Sequence, residues 1–254
     1  MRPDLSLGAV RVWQRNRDVF LRLWRSESWP PFIEAFVILM AFGFGLGSYV
    51  MLGSEEYIFF LAPGLIAQAV FFGATFETTF GSFFRMDSQK TFDAIRATPL
   101  SVDDIALGEI LWGATRGVIS AAALLAAEWA FGLLLSPWAL ALLPAGFLGG
   151  MVFAAIGLAF TAVAPSVNAF NYFFSLYFTP SLFFGAVYFP LERLPTWVQL
   201  LAQLVPMTHL ATLARALNRG DLSPPLLVHC GYLLAAAVLL SLLAMALLRR
   251  RLIL

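Results

Sequence analysis

The sequence predicts an all-α integral membrane protein: six transmembrane helices preceded by an amphipathic helix that lies in the membrane interface. Three observations predict it. Of the 254 residues, 60% are hydrophobic and 12% charged, whereas a soluble domain carries roughly 25% charged residues; mean hydropathy is +0.82. Six stretches reach the about 20 mostly apolar residues that a helical span requires, at 31–50, 57–80, 105–135, 138–163, 170–189 and 226–248. The cationic residues between those stretches are also distributed unevenly.

Six of the 16 Lys and Arg residues precede the first span: Arg2, Arg11, Arg15, Arg17, Arg22 and Arg25. Arg85, Lys90 and Arg96 fall between spans two and three, and Arg249, Arg250 and Arg251 close the chain. Only Arg193, Arg215 and Arg219 lie between spans five and six, and Arg116 is inside span three. Basic residues accumulate on the cytoplasmic side, so both termini are predicted there. The first 28 residues are Arg-rich and lack the apolar core of a signal peptide, which predicts a mature protein beginning at Met1.

Residues 9–25, AVRVWQRNRDVFLRLWR, at 100° per residue place Val10, Trp13, Phe20, Leu21 and Trp24 on one face and Arg11, Arg15, Asp18, Arg22 and Arg25 on the other. This interfacial helix, within 1–29, is either an anchor or a grip for a partner. Pro30 and Pro31 then turn the chain into the bilayer. Between spans two and three, RMDSQKTFDAIRATPLSVDDIALGEIL (85–111) reads as a short helix over 88–98 and a break at Pro99, which disfavours helical geometry at Thr98. A capping box of Ser101 and Asp104 then starts span three. The segment is either a well-capped connector or a rigid docking knob.

Glu34, Glu77, Glu109, Arg116 and Glu128 lie in or near apolar spans, where an unpaired charge costs at least about 2.5 kcal/mol. Snorkelling explains Glu34, Glu77 and Glu109. Glu128 stands about 18 Å along the helix from Arg116, too far to pair with it, and reaches interfacial water instead. Phe doublets at 59–60, 71–72, 83–84, 173–174 and 183–184 serve either span packing or a route for amphiphiles; neighbours on a helix diverge by about 100°, so no doublet turns both rings to one pathway. His209 and His229 have no spaced Cys or acidic partner, which argues against a metal site. Cys230 is the sole cysteine, and Lys90, the sole lysine, lacks the glycines of a phosphate-binding loop. Nucleotide-driven work therefore belongs to another polypeptide. The segment 188–210 is too broken by proline to span and too apolar for a loop.

The order of these parts resembles the permease subunit of type-two ABC exporters. GAVYFPLERLPTWVQLLAQLVPMTHLATLAR (185–215) is similar to that family's signature, and IRATPLSVDDIALGEIL to its coupling region, including Thr98-Pro99-Leu100. The resemblance runs over the whole chain, nearest to the nodulation-factor and lipooligosaccharide exporter permeases and close to the daunorubicin-exporter type. It implies one permease domain over 1–254 in a bacterial inner membrane, with no cofactor of its own. It further implies a homodimer with two ATP-binding subunits that hold ATP and Mg, and an amphiphilic lipid or glycolipid substrate passing outward along the dimer interface. A coupling segment at 85–104 would engage the ATPase through Asp93, Arg96, Thr98, Pro99 and Leu100. An external segment at 190–220 would form two short re-entrant helices starting at Pro195 and Pro206, with Glu192, Arg193 and His209 kept near water at their ends, and with Phe189, Pro190, Leu194, Pro195, Trp197, Pro206 and His209 as the gate. Phe72, Phe76, Tyr172 and Tyr177 are candidates for the pathway. A hydrophobic drug is the alternative cargo. A lipid-modifying enzyme, a channel or a scaffold are the competing classes, and the scattered single charges do not form the cluster an enzyme needs.

Overall fold

The computed structural model describes residues 6–46, 51–52 and 55–253. Helix α1 (Gly8–Ile38) continues into a π-helical stretch, Leu39–Leu46. A two-residue antiparallel ladder pairs β1 (Met51–Leu52) with β2 (Glu55–Glu56). Helix α2 (Tyr57–Phe76), a π-helical turn and α3 (Ser82–Asp87) form one run. After α4 (Thr91–Arg96) come α5 (Val102–Ala130) and α6 (Leu142–Val163). Helices α7 (Phe170–Phe173) and α8 (Thr179–Phe184) flank another π-helical turn. Helices α9 (Thr196–Ala202), α10 (Pro206–Arg219) and α11 (Pro225–Ile253) complete the chain.

Among the described residues, four helices are long and apolar enough to cross a membrane: 57–87, 102–130, 137–163 and 225–253. They coincide with predicted spans two, three, four and six, and they make this a multi-pass membrane protein. The first predicted span, 31–50, lies partly outside the described residues, at 47–50. The fifth, 170–189, is helical only over 170–184, shorter than a span requires. Its wide turn, Phe174–Phe178, immediately precedes α8, which starts with Pro180 in its first turn; proline cannot donate to the carbonyl four residues back.

The expected turn at Pro30 and Pro31 is corrected, because α1 passes through both residues as continuous helix. Proline's φ suits a helix, and what it removes is the backbone donor. Helix α1 runs parallel to α5 along its length. Val12 meets Gly108, Trp13 Nε1 donates to Thr115 Oγ1 at 2.9 Å, and the Phe20 ring lies 5.7 Å from Trp112. Phe36 ends the series 5.8 Å from Phe131. The buried stripe is Ala9, Val12, Asn16 and Phe20, so of the predicted apolar face Val10, Leu21 and Trp24 are exposed instead.

Helix α2 is the centre of the bundle and α11 its edge: 78% of the most apolar window of the α2 run is buried, against 33% for α11. Small residues let helices close on one another where lipid offers no competing drive. Gly117 leaves room for the Val70 carbonyl, whose oxygen a Cβ there would meet at 2.8 Å, and Gly150 faces Ala114. The π-helical turn Glu77–Gly81 frees backbone carbonyls, and Thr161 Oγ1 donates to that of Thr78 at 2.8 Å. Phenylalanines four residues apart stack into two interleaved rows, Phe72, Phe76 and Phe80 against Phe178, Phe174 and Phe170, with facing centroids 5.0 Å apart. The helical stretch over 170–184 is therefore antiparallel to α2.

Candidate functional site

The segment joining α3 to α5 is a compact knob. Chain reversal falls at Lys90, whose φ of 52° is left-handed, and the helix that follows is α4, shorter than the predicted 88–98. Phe92 is fully buried and holds α4 to the bundle. Asp93, Arg96, Thr98 and Pro99 are exposed and Leu100 is half-buried. Arg96 and Asp93 approach to 3.7 Å, and Thr98 Oγ1 donates to the Ile95 carbonyl at 2.6 Å. The predicted capping box is present: Asp104 N donates to Ser101 Oγ at 3.0 Å, and Ser101 N to Asp104 Oδ2 at 3.1 Å. Ser6 adds two bonds to the same carboxylate, from its N and its Oγ, both at 2.9 Å. Asp103 next to it is gripped by Arg249 through Nε, at 2.6 Å, and Nη2. Both ends of the described chain therefore meet at this end of the bundle.

Behind the knob sits a charged cluster that corrects the snorkelling assigned to Glu77 and Glu109. Glu109 is 1% exposed and accepts from Arg85 Nη2 at 2.5 Å, Ser82 Oγ at 2.6 Å and Asn16 Nδ2 at 2.8 Å. Arg85 Nη1 also donates to Glu77 Oε1 at 2.8 Å, and Arg116 Nε lies 3.3 Å from Glu77 Oε2. Arg116 further stacks over the Phe20 ring at 4.6 Å. Helices α1, α3 and α5 and the π-helical turn after α2 are thereby tied through mutually satisfied charges, where a half-satisfied set would be costly. Glu128 is different. It is wholly buried instead of reaching water, and neither carboxyl oxygen has a hydrogen-bond partner among the described residues.

The opposite end is built around backbone. Helix α9 begins after Pro195 and α10 at Pro206, as the prolines predict, and the two meet at 88°. Helix α10 extends to Arg219, where Gly220 at φ 75° closes it. A non-helical strap at 185–190, with Ala186 at φ 59°, passes over α2. Arg215 on α10 holds that strap: its guanidinium donates to the carbonyls of Phe60 at 3.1 Å, Val187 at 3.2 Å, and Ala186, and lies 3.8 Å over the Phe60 ring. Tyr57 Oη donates to the Tyr188 carbonyl at 2.7 Å, and Tyr188 Oη to Gln68 at 2.8 Å. Gly64 lets the strap approach, since a Cβ there would stand 2.8 Å from the Val187 oxygen.

The predicted gate residues do not form one group. Pro206 and His209 are buried, Phe189, Pro190 and Leu194 are half-buried, and Pro195 and Trp197 are exposed. His209, expected near water, is 5% exposed. Its Nδ1 stands 2.8 Å from His229 Nδ1, its Nε2 2.9 Å from the Gln203 carbonyl, and its ring stacks on Tyr232 at 3.8 Å. Donation of Nε2–H to the carbonyl leaves His209 Nδ1 as acceptor, so His229 is the donor of the pair. Among the pathway candidates, Phe72 and Phe76 stack at 4.7 Å, Tyr177 packs on Phe71 and Phe173 instead, and Tyr172 is 70% exposed. Sequence reading missed Arg215, Asn16 and the role of Ser6. For Arg215 the signal was present, as a cation flanked by Leu213, Ala214, Ala216 and Leu217.

The described helices form a multi-pass helical bundle with a folded loop at one end and a braced strap at the other. Residues 10–217 match the model of the ABC-2 type transporter family, and the chain belongs to that family, whose members are membrane transport components. It is 34% identical to nodulation protein J of Rhizobium leguminosarum bv. trifolii, over 99% of this chain and 96% of that protein. Nodulation protein J of Bradyrhizobium diazoefficiens is likewise 34% identical, over 99% and 96%. The inner membrane transport permease YadH of Escherichia coli is 26% identical, over 94% and 93%.

Proposed function

We propose that this chain is the membrane-spanning subunit of an ATP-driven exporter that moves an amphiphilic molecule, a lipid-linked oligosaccharide or glycolipid, outward across a bacterial inner membrane. It works as a homodimer with two ATP-binding subunits, which hold the ATP and Mg; this chain binds no cofactor. Both termini are cytoplasmic, and the 85–104 segment is the coupling element. The observation that carries the reading is the exposed surface of α4 and Pro99, seated on buried Phe92 and backed by the Arg85–Glu109 pair. A push on that surface meets a stiff connection to α1, α2 and α5. The name of YadH, a transport permease, favours transport, and the resemblance of residues 185–215 and of the 85–111 segment to lipooligosaccharide exporter permeases favours that cargo.

In this reading the strap and α9–α10 re-enter the outer leaflet and close the path, with Phe189, Pro190, Leu194, Pro195, Trp197, Pro206 and His209 around it. Irregular backbone is tolerated at membrane depth where protein satisfies it, as Arg215 does for the strap. The Phe72 and Phe76 row, with Tyr177 and Tyr172, borders the route.

Two experiments test the reading. In proteoliposomes containing the ATP-binding partner, Arg96→Glu or Pro99→Gly is expected to leave ATP hydrolysis running while transport falls at least about tenfold; unchanged transport in both variants rejects the docking assignment. In a Cys230→Ser background, a cysteine at position 199 is expected to react with a membrane-impermeant thiol reagent added to intact cells. Labelling only in inverted vesicles reverses the topology.

A further inference from the structure

A cavity of about 320 Å³ opens between α1 and the α2–α3 run, beside the charged cluster. Its polar wall carries Arg15, Glu77 and Arg85, and its rim carries Val19, Leu23 and Phe84, which are 44%, 48% and 45% exposed. Among the described residues the local charges are the cations Arg15, Arg85 and Arg116 against the carboxylates of Glu77 and Glu109. Glu77 and Glu109 are taken up by Arg85 and Arg116. Among the described residues Arg15 hydrogen-bonds to neutral groups, Asn16 Oδ1 at 2.9 Å and Thr91 Oγ1 at 3.4 Å; it is half-buried, repelled by the Arg85 guanidinium and attracted by the Glu109 carboxylate, which is already engaged by Arg85.

We propose that this cavity binds an acidic phospholipid, with its phosphate on the Arg15 guanidinium and its acyl chain along Val19, Leu23 and Phe84. Guanidinium presents paired N–H donors that match phosphate oxygens, and the half-open apolar rim suits a chain that remains in the membrane. A water-soluble anion would use the cation and have no use for that rim. A zwitterionic lipid would bring its own cation beside Arg15 and Arg85. The bound lipid bridges α1 to the knob, because Arg15 also reaches Thr91 at the start of α4.

Native mass spectrometry of the full chain in detergent, titrated with phosphatidylglycerol and phosphatidylcholine of the same acyl chains, tests the assignment. The wild type is expected to retain phosphatidylglycerol in clear preference. Arg15→Gln should lower that preference about tenfold, the loss of one charge-assisted contact, and Arg15→Lys should restore part of it. Val19→Glu, at a position 44% exposed, should abolish it by placing a carboxylate at the mouth. An undiminished preference in Arg15→Gln or in Val19→Glu overturns the site. Displacement of the lipid by inorganic phosphate at equal concentration shows a plain anion site and overturns the lipid assignment.

Discussion

The two ends of the bundle solve the same problem with different chemistry. At the α4 end, Arg85 sits among carboxylates and joins helix to helix, side chain to side chain. At the α9 end, Arg215 sits among carbonyls and joins a helix to a stretch of irregular backbone. A charged pair transmits displacement between rigid elements, because each partner is fixed to its own helix. A guanidinium on carbonyls instead preserves the shape of one loop. The first arrangement suits a part that moves as a body, the second a part whose form must survive while its neighbours move.

Removing Arg85 is the strongest way to break this contrast. Arg85→Met leaves Glu109 buried beside Glu77 without its main partner, and loss of one member of a buried pair costs about 3–5 kcal/mol. The expected result is a large fall in the detergent-solubilised melting temperature, partly recovered when Glu109→Gln is added. No recovery in the double variant would mean that Arg85 acts through packing alone. Arg215→Met should cost less, about 1.5–3 kcal/mol, as befits hydrogen bonds from a charged donor, and should make the strap at 185–190 accessible to protease. Arg215→Lys should fail to rescue it, since one ammonium lacks the forked donors that reach the strap carbonyls and the Phe60 carbonyl of α2 together. The smallest effect belongs to Ser101→Ala, which removes a helix cap worth about 1 kcal/mol. Thermal stability should drop slightly while the α9 end keeps its protease resistance; a change there would show that the two ends are not independent.

What was legible in the sequence was whatever depends on near neighbours. Length and hydropathy located α2, α5, α6 and α11, and the Ser101–Asp104 cap needed only a three-residue spacing. Prolines 195 and 206 marked the starts of α9 and α10. The path through Pro30 and Pro31 was misread because proline's missing donor was weighed and the packing of α1 along α5 was not visible. The partners of Glu77, Glu109 and Arg215 stayed hidden for the same reason: Arg116 meets Glu77, and Arg215 meets Phe60, only after helices far apart in the chain come together. The fifth run stops short because the backbone leaves the helix at Gly185 and turns left-handed at Ala186, a local break that hydropathy averaging conceals. His209 was placed near water on polarity, whereas His229, Gln203 and Tyr232 supply its surroundings.

The shared hold on Asp104 has a mechanical consequence. Helices α1 and α5 point the same way, so their positive N-terminal ends lie side by side, each equivalent to roughly half a unit charge. One carboxylate sits at both, accepting from Ser6 and from Ser101. Sliding α1 along α5 by a single turn, about 5.4 Å, would strip the charge from one helix end and pull Phe20 out of register with Trp112 and Arg116. The contacts therefore oppose telescoping of α1 along α5. If α4 is the coupling element, as proposed, a push on it would reach the two helices as one lever, and its displacement would be largest at the far end, where Phe36 meets Phe131.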